Sequence, residues 1–245
     1  NLHSFLKSFS SINSFKILVH GGGKIATRLG EKLGIESKYI NGRRITDADT
    51  IDLVTMVYGG LVNKKIVAQL QAFNCNAIGL TGADADIIPA VKRPVQEVDY
   101  GFVGDIESVK LKAKSVKLFL DNDLVPVFAP LTHDGKGQML NTNADTIASS
   151  LAISLSKYYE VRLIYCFEKK GVLQNVEDEN SVIHLIDKKY YQGLLKTKIL
   201  ADGILPKLEN AFAACEAGVK EVLIGDAKEL RQNCTDEVLG TLIRL

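Results

Sequence analysis

The sequence predicts an α/β fold, a three-layer α-β-α sandwich around a mostly parallel open sheet. Three observations carry that expectation. Short apolar runs of strand length alternate with segments whose apolar residues recur at helical spacing, the connections between them are short, and no repeat or low-complexity tract breaks the alternation. A chain of 245 residues with 46% hydrophobic and 24% charged residues can also bury a full core.

The elements follow in chain order. Leu2, Phe5, Leu6, Phe9 and Ile12 share one face of a helix over residues 1 to 12. Residues 15 to 20 read as a buried strand stopped by Gly21-Gly22-Gly23, and 24 to 33 as a helix. Thr46 followed by Asp49 is a capping signal for a helical stretch over 47 to 73, interrupted near Gly59-Gly60. A short strand is expected at 77 to 80. Residues 95 to 107 alternate and carry Gly101 and Gly104, which predicts a hairpin. Next come a helix at 108 to 121, a strand at 124 to 128 and a helix at 144 to 157 that turns Ile147, Ala148, Leu151 and Leu155 inward. A strand at 161 to 166 leads to an acidic loop with Glu177, Asp178 and Glu179, then to short elements around Ile183 and Tyr190. A helix at 206 to 217, a strand at 221 to 224, a helix at 227 to 232 and a strand at 241 to 245 finish the chain.

Thirty Lys plus Arg against 29 Asp plus Glu give a formal charge of +1, too little for a broad basic field that would bind nucleic acid or an acidic membrane surface. The four cysteines, Cys75, Cys166, Cys215 and Cys234, form no C-x-x-C pair and read as reduced thiols rather than a disulfide framework or zinc site. No apolar run reaches the roughly 18 residues of a membrane helix, and the start lacks a secretory signal pattern, so a soluble cytoplasmic protein is expected.

In parallel sheets ligands bind beyond the carboxyl ends of the strands. Gly21-Gly22-Gly23 lies there, between strand and helix, where backbone N–H groups and the helix N-terminus suit a phosphate. Gly21-x-Gly23-x-x-Ala26 meets the loose dinucleotide fingerprint, but no strand ending in an acidic residue follows about 20 residues on. An HGGG oxyanion hole would need a G-x-S-x-G elbow, which is absent, and Ile25 after Gly23-Lys24 excludes the Walker phosphate loop. A second polar cluster, 138 to 145, sits where a loop enters a helix; Asn141, Asn143 and Asp145 exceed what one cap requires. Lys207 follows Pro206 in a first helical turn, at the positive end of the dipole, where an acidic residue is the favoured choice. Arg43 and Arg44 precede a capped helix, and one of them offers a bidentate fork for a carboxylate.

Taken together, KILVHGGGK (16 to 24), YINGRRITDADTIDLVTMVYGGLVNKKIV (39 to 67), DYGFVGDI (99 to 106), LNTNADTIA (140 to 148) and ADGILPKLENA (201 to 211) resemble the acetylglutamate kinases of the amino acid kinase family. The resemblance implies that family's fold, with residues 1 to 158 as an acylglutamate-binding and dimerising lobe and 159 to 245 as an ATP-binding lobe. It implies transfer of the ATP γ-phosphoryl group to the side-chain carboxylate of N-acetylglutamate or another N-acylglutamate, in arginine biosynthesis, without a covalent enzyme intermediate. By matching motifs, Gly22 and Gly23 would donate N–H bonds to phosphate, Lys207 would offset charge on the transferring group and Asp145 would orient lysines. Arg44 and Asn141 would bind the α-carboxylate, the 95 to 107 hairpin would cover the acyl end, and Glu168 and Gly171 would serve the nucleotide. Mg2+ would arrive with ATP, held by phosphates and water and by no dedicated protein ligand. A homodimer is implied, and a hexamer where an extra N-terminal helix is present.

Two departures stand out. The family's first strand, with Lys-x-Gly-Gly, has no counterpart here, so a catalytically silent, ligand-binding regulatory homologue is the alternative. Phe167-Glu168 also replaces the usual Ser or Thr followed by Asp.

Overall fold

The computed structural model describes residues 2–40, 42–107, 110–175, 177–197 and 204–245. Packing divides the chain into two units, Ser14–Ser150, and Asn1–Asn13 together with Leu151–Leu245.

In the first unit β1 (Leu18–Val19), β7 (Val125–Phe128) and β4 (Ala77–Leu80) form a parallel sheet in the order β1-β7-β4. Central β7 is apolar because both its faces are covered: α4 (Asn63–Ala72) and α5 (Ala113–Asp121) pack against it, and Val127 and Phe128 are fully buried. The helix α2 (Gly23–Leu33) follows β1 directly. Three hairpins complete this unit: β2 (Tyr39–Ile40) with β3 (Arg43–Arg44), β5 (Ala90–Lys92) with β6 (Gly104–Ile106), and β8 (Leu131–His133) with β9 (Met139–Asn141).

The second unit holds α1 (Leu2–Ser10) and a four-stranded sheet in the order β10-β12-β13-β11. Here β10 (Arg162–Phe167) runs parallel to β12 (Glu221–Asp226), while β13 (Thr241–Ile243) is antiparallel to β12 and parallel to β11 (Leu185–Ile186). The helices are α7 (Lys188–Thr197), α8 (Ile204–Glu216) and α9 (Leu230–Asn233); Leu208 and Ala211 bury the inner face of α8. The helix α6 (Ala144–Leu155) carries the chain from the first unit to the second. All four cysteines are free thiols, Cys75 and Cys215 buried and Cys166 exposed. Among the described residues no helix is long and apolar enough to cross a membrane.

The α/β class with parallel strands is as expected; several local expectations need correction. The stretch over 47 to 73 is not interrupted at Gly59-Gly60. It passes from α3 (Ala48–Val54) through a π-helical segment, Thr55–Val62, into α4, so the glycines fall in a widened turn rather than a break. Its cap is Asp47, whose side chain accepts from the Thr50 N–H at 2.9 Å. Thr46 is unavailable because its hydroxyl and backbone are committed to Arg44, Asn141, Tyr100 and Phe102. The hairpin expected at 95 to 107 has its first strand earlier, at 90–92, and most of 95 to 103 is the connection. Residues 139–141, read as loop, form a strand, and so do 43–44 ahead of the capped helix; two- and three-residue ladders are too short to leave a periodic signal. The helix expected from 108 begins at Ala113, and α8 begins at Ile204, two residues before Pro206. Asn41, Ser108 and residues 201 to 203 lie outside the described residues.

Candidate active site

In the first unit the candidate site grows from the end of β1. The His20 N–H donates to the Phe128 carbonyl at 3.1 Å, extending the ladder one residue, and the glycines then turn the chain into α2. The N–H groups of Ile25 and Ala26 both donate to the Gly22 carbonyl at 3.0 Å. Those of Gly22, Gly23 and Lys24 therefore have no acceptor within the helix, and they stand at its positive end. A Cβ on Gly22 would lie 2.7 Å from Tyr58 Cδ1, so the Tyr58 ring dictates glycine there. Beside Gly21 and Gly23 a Cβ would meet nothing within 4 Å, which leaves an open approach for an anion.

Arg44 reaches the same helix from β3. Strand alternation separates the two arginines: Arg43 is exposed and Arg44 is buried. From Nη2, Arg44 donates to the Gly23 carbonyl at 3.1 Å and to Thr27 Oγ1 at 2.8 Å, and Nη1 donates to Ser37 Oγ. The guanidinium also lies 4.8 Å from the Tyr39 ring centroid. Thr27 Oγ1 donates to the Gly23 carbonyl at 3.0 Å, so the Tyr39 hydroxyl, 3.0 Å away, must donate to it. Among the described residues no carboxylate pairs with Arg44, so neutral acceptors and a ring hold a buried cation whose charge remains available to an anionic ligand. Burial pushes the Tyr58 phenol up from its ordinary value, and the neighbouring Arg44 charge opposes that shift.

Asn141 ends β9 and donates from Nδ2 to Thr46 Oγ1 at 3.0 Å, while Thr46 Oγ1 donates to the Arg44 carbonyl at 3.3 Å. One fully buried threonine thus links the two residues expected to hold a carboxylate. Of the polar cluster at 138 to 145, Asn143 is the cap of α6: its Oδ1 accepts from the Thr146 N–H at 3.0 Å. Asp145 lies half-buried in the first turn, where the helix dipole favours a carboxylate. Gly22, Gly23, Arg44, Asn141 and Asp145 all belong to this unit, and hydrogen bonds join Arg44 to both Gly23 and the Asn141 side.

Lys207, Glu168 and Gly171 belong to the second unit. Lys207 sits in the first turn of α8, and its Nζ lies 4.3 Å from the Phe167 ring centroid and 6.0 Å from that of Tyr165. Phe167, the residue that departs from the family pattern, therefore supplies an aromatic face to this lysine. Glu168 is exposed in the bend after β10. Gly171 is buried, and a Cβ there would lie 2.7 Å from Thr241 Oγ1, so close packing requires glycine. Among the described residues no three His, Cys, Asp or Glu side chains converge on a metal position.

Thr27, Ser37, Tyr39 and Tyr58 join the site without having been singled out in the sequence, and Thr46 joins it as a link rather than as a cap. Only Thr27 left a local signal, four residues after Gly23 and therefore on the same helical face.

A profile of the amino acid kinase family matches residues 2–226. The chain is 54% identical over 243 residues to the curated acetylglutamate kinase of Phocaeicola vulgatus, covering 99% of this chain and 92% of the relative. It is 56% identical over 223 residues to that of Bacteroides fragilis, covering 91% and 85%. Among solved structures, a Streptococcus mutans protein aligns with a TM-score of 0.77 at 30% identity, covering 99% of this chain and 91% of that one.

Proposed function

The chain belongs to the amino acid kinase family, and from that membership we propose that it transfers the γ-phosphoryl group of ATP to the side-chain carboxylate of N-acetyl-L-glutamate, as an acetylglutamate kinase. Within the fold, the observation that supports this most is Arg44, a buried cation that pairs with no carboxylate among the described residues and is bonded to the helix whose N-terminal N–H groups suit a phosphate. The relatives lend no support to a silent regulatory homologue.

The reaction joins a carboxylate oxygen of the substrate to the γ-phosphorus while the bond from that phosphorus to ADP breaks, giving an acyl phosphate and ADP. The protein contributes position and charge rather than a covalent intermediate. Arg44 and Asn141 hold the α-carboxylate end of the N-acylglutamate. The Gly22 and Gly23 N–H groups receive phosphate oxygens, whose charge the α2 dipole offsets. Lys207 offsets charge on the transferring phosphoryl group, Glu168 and Gly171 border the nucleotide, and Asp145 orients lysine ammonium groups. Mg2+ bound to the ATP phosphates and water would neutralise charge on the nucleotide. The assembly is a homodimer formed through the acylglutamate-binding lobe, working in the cytoplasm.

The test is ADP release by the purified protein supplied with ATP, Mg2+ and N-acetylglutamate. Release that depends on the acylglutamate is expected. Folded protein that releases none with any N-acylglutamate overturns the proposal.

A further inference from the structure

His20 is buried ahead of the glycines, with a hydrogen bond on each ring nitrogen. Asn63 Nδ2 donates to the Val127 carbonyl at 2.9 Å and meets His20 Nε2 at 3.2 Å. On the other side His20 Nδ1 lies 2.7 Å from the Gly21 carbonyl oxygen. The two outer groups leave no freedom. Val127 offers only an acceptor, which fixes the Asn63 nitrogen as the donor toward Nε2, and the Gly21 carbonyl can only accept. The ring proton must therefore sit on Nδ1, with Nε2 as the acceptor. Asn63 Oδ1 is buried with no hydrogen-bond partner, so it is the two bonds of its nitrogen that fix the amide. Burial also lowers the His20 pKa, in keeping with a neutral ring.

The peptide unit between Gly21 and Gly22 is planar and trans, so the Gly21 carbonyl and the Gly22 N–H point in opposite directions. Glycines on both sides offer no side chain to resist rotation of that plane. A flipped plane would turn a carbonyl oxygen toward an approaching anion and withdraw the N–H.

We propose that His20 is a positioning residue for phosphoryl transfer: its Nδ1–H, kept on that nitrogen by Asn63, holds the Gly21 carbonyl and thereby aims the Gly22 N–H at phosphate. This rests on the kinase function proposed above. An asparagine side chain places its N–H near the Nδ1 position, whereas glutamine reaches the Nε2 position. ADP release is therefore compared for the full chain and for His20→Asn, His20→Gln and His20→Ala, with ATP, Mg2+ and N-acetylglutamate. The expected result is a kcat drop of about a hundredfold in His20→Gln and His20→Ala, the usual scale for one lost oxyanion donor. KM for N-acetylglutamate should change less than kcat, and His20→Asn should recover at least a tenth of wild-type turnover. Equal loss in all three variants, or wild-type turnover in all three, overturns the role of His20. A second measurement needs no variant: nitrogen-15 NMR of the wild-type imidazole should show the proton on Nδ1, and a proton on Nε2 overturns the proposal. If the wild type releases no ADP, the kinase function fails, and the NMR measurement still decides the tautomer.

Discussion

Arg44 donates from Nη2 to the carbonyl oxygen of Gly23 at 3.1 Å, so the cation expected to hold a substrate carboxylate is bonded to the first residue of the helix expected to hold phosphate. Moving either group displaces the other. Arg44→Lys keeps the charge but loses the fork that reaches Ser37, Thr27 and Gly23 together. KM for N-acetylglutamate should rise about 10- to 100-fold, since each tenfold corresponds to about 1.4 kcal/mol, while KM for ATP moves little. Steady-state kinetics with each substrate varied in turn checks this; an unchanged KM for the acylglutamate removes Arg44 from its site.

Thr27→Val removes a hydroxyl that accepts from Arg44, faces the Tyr39 hydroxyl and donates to the Gly23 carbonyl. Shape is retained, the Gly23 carbonyl still accepts from Arg44 and the exposed Tyr39 hydroxyl can turn to water, so stability should fall by about 0.5–1.5 kcal/mol. Urea unfolding measures the loss, and a change within about 0.5 kcal/mol would mean that the hub has no energetic role.

Gly22→Ala drives a methyl into the Tyr58 ring, where Cδ1 would be 2.7 Å away. The cost should be about 1–3 kcal/mol from overpacking. Tyr58→Ala in the same chain removes the clash, so the double variant should be more stable than the two single losses added together, a coupling read from a double-mutant cycle.

His20 carries a pH signature in stability. Its folded pKa lies below the unfolded value of 6.5. Above that value both states hold the neutral ring and His20 adds no pH dependence. As pH falls below it the unfolded chain takes up the proton first, so stability declines until the folded pKa is passed. Urea midpoints between pH 5 and pH 7.5 should show this acid loss in the wild type and a smaller one in His20→Asn; identical slopes would contradict it.

Phe167→Leu keeps apolar bulk at the end of β10 but removes the ring 4.3 Å from Lys207 Nζ. A cation–π contact is worth about 0.5–2 kcal/mol, so turnover should drop about 2- to 30-fold, less than for Lys207→Ala. Kinetics on both variants tests the order, and a larger loss from the phenylalanine would assign it a role beyond holding the lysine.

The sequence by itself determined the alternation of strands and helices, the glycine run at a strand-to-helix turn and the polar cluster before α6. These depend on neighbours within a few residues, where periodicity and backbone preference act. Tertiary structure decided which arginine faces inward, why Gly22 cannot carry a side chain and why Thr46 is not a cap. It also made Asn143 rather than Asn141 the helix cap. Arg44 meets Gly23 across 21 positions and Asn141 meets Thr46 across 95. Such contacts form only when the sheet closes and two- or three-residue hairpins choose a face, and a ladder that short offers too few residues for a pattern to be read beforehand.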